Sequence, residues 1–73
     1  MRVLTDNEEA RVIAVGRALW LALTEGERRR IEAGEGRLNC LTFVSEYVMD
    51  IVGCRNAECD YKRMMGILDK IFK

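Results

Sequence analysis

From Val12 to Leu23 every position is apolar except Gly16 and Arg17, and an apolar surface this continuous reads as a helix buried on several sides. Its start is signalled by Thr5 followed three residues later by Glu8, the form of a capping box, with Asp6 and Glu8 placed where the helix dipole favours negative charge. The pattern predicts a first helix from there to about Leu23. Thr24 with Glu27 repeats the box, and Gly34 and Gly36 can end a helix in left-handed conformations. A short second helix over about 24–33 follows. From Cys40 the apolar set Leu41, Val44, Val48 and Ile51, widened by Cys40, Phe43, Tyr47 and Val52, recurs at steps of three and four, opposite Thr42, Ser45, Glu46, Met49 and Asp50. That predicts a third helix, capped by Asn39 and stopped by Gly53. In the last segment Tyr61, Met64, Met65, Leu68, Ile71 and Phe72 make one face against Lys62, Arg63, Asp69 and Lys70, which predicts a helix over about 57–72 capped by Asn56.

The β-branched Val44, Val48, Ile51 and Val52 raise a strand reading for the third element. Strict two-residue alternation is missing, however, and the pattern outlasts a strand. No proline interrupts the chain. The fold class expected is all-α: a small helical bundle of three long helices plus one short helix, forming a single domain over residues 1–73.

Size changes this picture. A domain of 73 residues buries only about 60% of the surface its unfolded chain exposes, and such thin cores are often completed by a partner subunit. Ala10, Ala14, Ala18 and Ala22 recur at every fourth position of the first helix, a row of small side chains that lets another helix approach closely. With too few elements to surround that helix, a homodimer joined partly through these alanines is expected.

Composition and charge then exclude more than they select. Apolar residues are 49% of the chain and charged residues 33%, which fits an ordered globular protein. Lys plus Arg, at 12, balance Asp plus Glu, at 12, so net charge favours neither nucleic acid nor an acidic mimic of it. There is no histidine, the commonest general base and zinc ligand. Ser45 therefore lacks a base, and Gly34 and Gly36 match no phosphate-binding loop. Neither an enzyme nor a cofactor or metal site is expected. Cys54 and Cys59 flank the expected start of the last helix, where the dipole and Arg55 would lower a thiol pKa. Their C-x4-C spacing is a poor zinc motif, and burial as small apolar side chains is the favoured reading. Three cysteines, no signal-peptide pattern and no apolar run of about 20 residues point to a cytoplasmic protein without a membrane span.

What remains is binding. In the second helix Glu25, Glu27, Arg28, Arg29, Arg30, Glu32 and Glu35 leave Ile31 as the only large apolar residue. Its arginines, with Arg37 nearby, could clamp carboxylates or phosphates in bidentate fashion. Aromatic and arginine anchors dominate protein interfaces, which makes Trp20, Arg28, Arg29, Arg30 and Tyr47 the candidate partner-binding residues wherever they are exposed. A helix-turn-helix reader is disfavoured because the third helix carries Glu46 and Asp50 and no Lys or Arg. The function expected is a non-catalytic protein-binding module acting stoichiometrically as an inhibitor or adaptor. Small helical proteins without chemistry include phage-encoded inhibitors of bacterial complexes, anti-CRISPR proteins among them, an association that rests on size and on no residue. The alternative is a nucleic-acid-binding or antitoxin-like regulator using Arg55, Lys62, Arg63, Lys70 and Lys73 of the basic last segment.

Overall fold

The computed structural model describes residues 2–36 and 38–73. The chain is mostly helical, with a short strand β1 (Arg2–Val3), helix α1 (Asp6–Ala22), helix α2 (Glu25–Ala33), a composite helix α3 (residues 40–51), a second strand β2 (Ala57–Glu58) and helix α4 (Tyr61–Phe72). Both capping boxes form. The amide of Glu8 donates to Thr5 Oγ1 at 3.2 Å while Glu8 Oε1 accepts from the Thr5 amide at 3.0 Å. Thr24 and Glu27 repeat the exchange at 3.2 and 3.0 Å. Gly34 closes α2 with φ 72°, a conformation open to glycine at little steric cost, and Asn39 Oδ1 caps α3 by accepting from the Thr42 amide at 2.8 Å.

The last helix begins later than its sequence pattern suggests. Asp60, not Asn56, is the cap, with Oδ1 accepting from the Arg63 amide at 2.7 Å. Residues 57–58 instead pair in parallel with β1, Arg2 opposite Ala57 and Val3 opposite Glu58, and the Leu4 amide extends the ladder to Glu58 O at 3.2 Å. Leu4 is 1% exposed, so its burial holds β1 against the core. Each strand leads through two residues into a helix, with Thr5 and Asp60 in equivalent capping positions. The helices α1 and α4 consequently run parallel: Arg63 meets Asp6 and Glu9 near their starts, at 3.1 and 3.5 Å, and Gly16 meets Ile71 near their ends. Arg17 Nη1 donates to the Lys70 carbonyl at 2.9 Å, serving one of the carbonyls that the end of α4 leaves without an intrahelical donor.

The composite α3 consists of α-helical Cys40–Thr42, a π-helical segment Phe43–Val48 and α-helical Met49–Ile51. In a π-turn the hydrogen bond reaches one residue further than in an α-helix, as where the Met49 amide donates to Val44 O. The inward face shifts accordingly. Phe43 with Val48 and Val44 with Met49, each pair five apart, are buried, whereas Leu41 and Ile51 face solvent. The α-helical periodicity placed Leu41 and Ile51 inside and Met49 outside, an assignment the wider turn reverses.

Nor is α1 buried all round. Val12, Gly16 and Trp20 form its covered stripe, while Ala10, Ala14, Ala18, Ala22 and Leu21 are exposed. The close helix approach occurs at Gly16, not along the alanine row: a Cβ there would stand 2.6 Å from Ile71 Cδ1. Trp20 meets Phe72 edge-on at 4.4 Å between ring centroids and Phe43 at 5.8 Å. In α4 the core contacts come from Ile67, Leu68 and Ile71, while Tyr61 and Met65, expected on the inner face, are exposed. Among the described residues no buried side-chain nitrogen or oxygen lacks a partner.

Glu8 ties the strand end to α1 and to the turn after α3. Beyond its cap bond it pairs with Arg2 and accepts from Cys54 Sγ at 3.1 Å, and Arg2 Nη2 reaches Gly53 O at 3.3 Å. Arg2 above all, then the Thr5 amide and the Cys54 thiol, hold the Glu8 carboxyl down at about 2.

Three outcomes follow for stability. Gly16→Ala should destabilise the protein by about 1–3 kcal/mol through overpacking, and less so in an Ile71→Val background, where the clashing methyl is gone. Gly66→Ala, with nothing within 4 Å of its Cβ, should instead stabilise by about 0.5–1 kcal/mol; denaturant midpoints of the four variants check both signs. Because the folded pKa of Glu8 lies below its ordinary value of 4.5, its contribution is complete above that value and is lost as pH falls towards 2. Glu8→Gln should therefore lower the urea midpoint at pH 7, with the gap to wild type narrowing steadily as the midpoints are remeasured down to pH 2.

Candidate functional site

Three helices leave a groove between them. The end of α1 supplies Leu19, Ala22 and Leu23; α2 supplies Glu27, Arg30 and Ile31; Leu38 enters from the connection; and α3 supplies Phe43, Tyr47 and Ile51. Along α3 the contributors are four residues apart and along α2 they are three and four apart, so each helix presents one face. The volume is about 350 Å³, near the lower end of the roughly 300–1,000 Å³ typical of ligand pockets.

The floor belongs to the core and the lip does not. Ile31 and Phe43 are buried, whereas Tyr47 and Ile51 are 44% and 62% exposed. Leaving large apolar side chains at the edge of an apolar depression costs hydration free energy that an occupant would recover, at about 25 cal/mol per Å² covered. The π-segment contributes directly, because it seats Phe43 against Trp20 on the floor and carries Tyr47 to the lip.

The charged rim has two members of different availability. Glu27 Oε1 accepts from the Thr24 amide at 3.0 Å and from Thr24 Oγ1 at 2.9 Å, bonds that lower its pKa. Arg30 has only a 3.5 Å contact from Nε to Glu35, with both side chains about two-thirds exposed, and a pair that open contributes little.

The candidate binding residues do not converge on one place. Arg30 and Tyr47 border the groove. Arg28 and Arg29 lie on α2 outside it, and Arg29 bonds Glu25 at 2.7 Å. Trp20 is 6% exposed: it is a core residue that supports the groove floor from behind and is not available to a partner, because Phe43 and Phe72 enclose its ring. Of the alanine row only Ala22 reaches the groove. Arg37 lies outside the described residues. The lining residues that sequence reasoning did not select are Leu19, Leu23, Glu27, Ile31, Leu38, Phe43 and Ile51; the one sequence signal was Ile31, a lone large apolar residue on an otherwise charged helix.

A second, shallower depression borders the sheet, among Val3, Ser45, Arg55, Ala57, Glu58, Cys59, Asp60 and Met64. Its chemistry is weak. The late start of α4 leaves Cys59 ahead of the cap, and burial pushes its thiol pKa up against the opposing pull of Arg63. Cys40 is raised likewise, by burial and then by Glu32, while Cys54 Sγ donates a hydrogen bond to Glu8. All three cysteines are free. Among the described residues no group of three or more Cys, Asp or Glu is placed to hold a metal ion, and no helix is long and apolar enough to cross a membrane.

The basic last segment is largely engaged. Arg63 pairs with Asp6 and Glu9, Arg55 lies 3.6 Å from Asp50, and Lys73 lies 3.4 Å from Asp69. Comparison of the chain with protein-family models, with curated proteins and with solved structures gives no match in any of the three.

Proposed function

We propose that this protein is a non-catalytic protein-binding module that acts stoichiometrically, as an inhibitor or adaptor, through the groove between α1, α2 and α3. The observation that carries the reading is the continuity of a buried apolar floor, Ile31 and Phe43, with an exposed apolar lip, Tyr47 and Ile51. Apolar anchors in a desolvated depression beside an arginine are the arrangement from which interface hot spots are built. A phage-encoded inhibitor of a bacterial complex is one role that a small binder of this kind could fill, and it remains an association with size.

Self-association is a separate part of the proposal. Ala10, Ala14 and Ala18, exposed beside Leu21 on α1, leave a helix face with small side chains that a second copy could approach closely. The nucleic-acid alternative draws less support, since Lys62 and Lys70 are the only basic side chains of α4 outside the ion pairs among the described residues.

The test compares wild-type protein with Ile51→Asp and Lys62→Glu/Lys70→Glu variants, each tagged and used to capture partners from host lysate with and without nuclease. One stoichiometric protein that survives nuclease should be captured by wild type and by the lysine variant, and its recovery should fall about tenfold with Ile51→Asp, an interface loss of about 1.4 kcal/mol. Capture lost to nuclease or to the lysine substitutions would overturn the reading in favour of nucleic acid. Light scattering on Ala14→Glu and Ala18→Glu reads the dimer: both should be monomeric if α1 forms the contact, because a charge would be driven into it.

A further inference from the structure

Resting on the reading that the groove binds a protein, we propose that its occupant is an amphipathic α-helix of the partner, which sets apolar side chains into the groove and presents a carboxylate to Arg30. Three observations converge on that chemistry.

The first concerns backbone hydrogen bonds. An extended peptide that docks by strand addition needs a sheet edge to receive its amides and carbonyls. The groove is walled by helices, and the two-stranded sheet borders the other depression, with Val3, Ala57 and Glu58 on its margin. An extended segment in the groove would bury backbone groups without partners, whereas a helix satisfies its own.

The second is shape. The groove is open to solvent, its contributors from α3 fall at Phe43, Tyr47 and Ile51, and about 350 Å³ admits a few large side chains. Side chains at i, i+4 and i+7 of a docked helix make a ridge of that kind.

The third is charge. Among the described residues only Glu27 and Arg30 bring charge to the lining. Glu27 commits Oε1 to the amide and the hydroxyl of Thr24, which ties its carboxylate to the start of α2. Arg30 offers a guanidinium with five N–H donors, held among the described residues through Nε in one loose contact with Glu35. A planar fork of this sort is matched by a carboxylate in bidentate geometry, and a docked helix covering the lip would strengthen that pair by excluding water.

The experiment selects binders from a displayed library of random 16-residue peptides on the full-length protein, then measures synthetic copies of the enriched sequences by titration. Enriched peptides should carry apolar residues at helical spacing with Asp or Glu on the same flank, and should gain helical circular dichroism on binding. Ile51→Asp should abolish binding; Arg30→Glu should weaken it about tenfold, and exchanging the peptide's carboxylate for Lys should restore affinity to the Arg30→Glu protein. Peptides that need Ile51 but bind in extended form, or are indifferent to Arg30→Glu, would overturn the helix-and-carboxylate proposal while leaving the groove as the site. Peptides indifferent to Ile51→Asp would overturn the groove reading itself. Absence of any enrichment would overturn the proposal, as would a dimer, seen without peptide and dissolved by Ile51→Asp, because a second copy would then be the occupant.

Discussion

The absence of a side chain at Gly16 is the constraint around which the other elements are arranged. It lets Ile71 lie directly against the backbone of α1, and that contact sets α1 and α4 side by side near their ends, as the parallel pairing of β1 with β2 does near their starts. With both ends fixed, Trp20 is delivered to Phe72 and Phe43, and the aromatic cluster in turn positions α3. Parallel helices place like ends of their dipoles together, an arrangement that needs compensation. Asp6, Glu8 and Glu9 in the first turn of α1, with Arg63 reaching across to two of them, supply it at one end. Arg17 on the Lys70 carbonyl supplies it at the other.

The groove follows from the same economy of elements. α1 has one face on α4 and another on α3, and the short α2 contributes only Ile31 to the core. A helix with a single apolar anchor can be held at the end of α1 but is too charged to fold down and fill the space beside Leu23, Leu38 and Tyr47. The opening is therefore built from ordinary core-forming side chains whose fourth wall is missing. Its chemistry is that of an interior, which is why a polypeptide with its own apolar face suits it better than a polar substrate.

Sequence reasoning succeeded where the physics is local. Thr5 with Glu8, Thr24 with Glu27, and Asn39 each act within one helical turn, and these three caps are found in place, whereas the fourth, expected at Asn56, gives way to Asp60 because residues 57–58 pair with β1. It failed where the deciding partner lies far along the chain. Ala57 and Glu58 have nothing in their neighbourhood to mark them as a strand, because the partner is Arg2–Val3. Likewise the π-segment depends on what Phe43, Val44, Val48 and Met49 meet across the core, and α-helical spacing pointed to Leu41 and Ile51 instead. Of the candidate site, Arg30 and Tyr47 were visible as residue types that anchor interfaces, although the periodicity counted Tyr47 with the inward set of its helix. Trp20 carries the same signal and lies inside, since an isolated aromatic in a small chain serves equally as anchor or core until its neighbours are known. The groove residues Leu19, Leu23 and Leu38 have no signal of their own; they form a site only through the mutual placement of three helices.

The pairing of β1–α1 with β2–α4 has a consequence for how the protein is made. Ribosomes extend a chain at about 5–20 residues per second, so α1 emerges seconds before the segment that covers its apolar stripe. During that interval Trp20 can meet Phe43 of α3 but not Phe72, and Gly16 lacks Ile71; closing the intervening loop must precede the reward of those contacts. The capping box of Thr5 and Glu8 can form at once. It gives the nascent helix a defined start, while the part of its apolar side that Ile71 and Phe72 cover stays open until α4 has been synthesised.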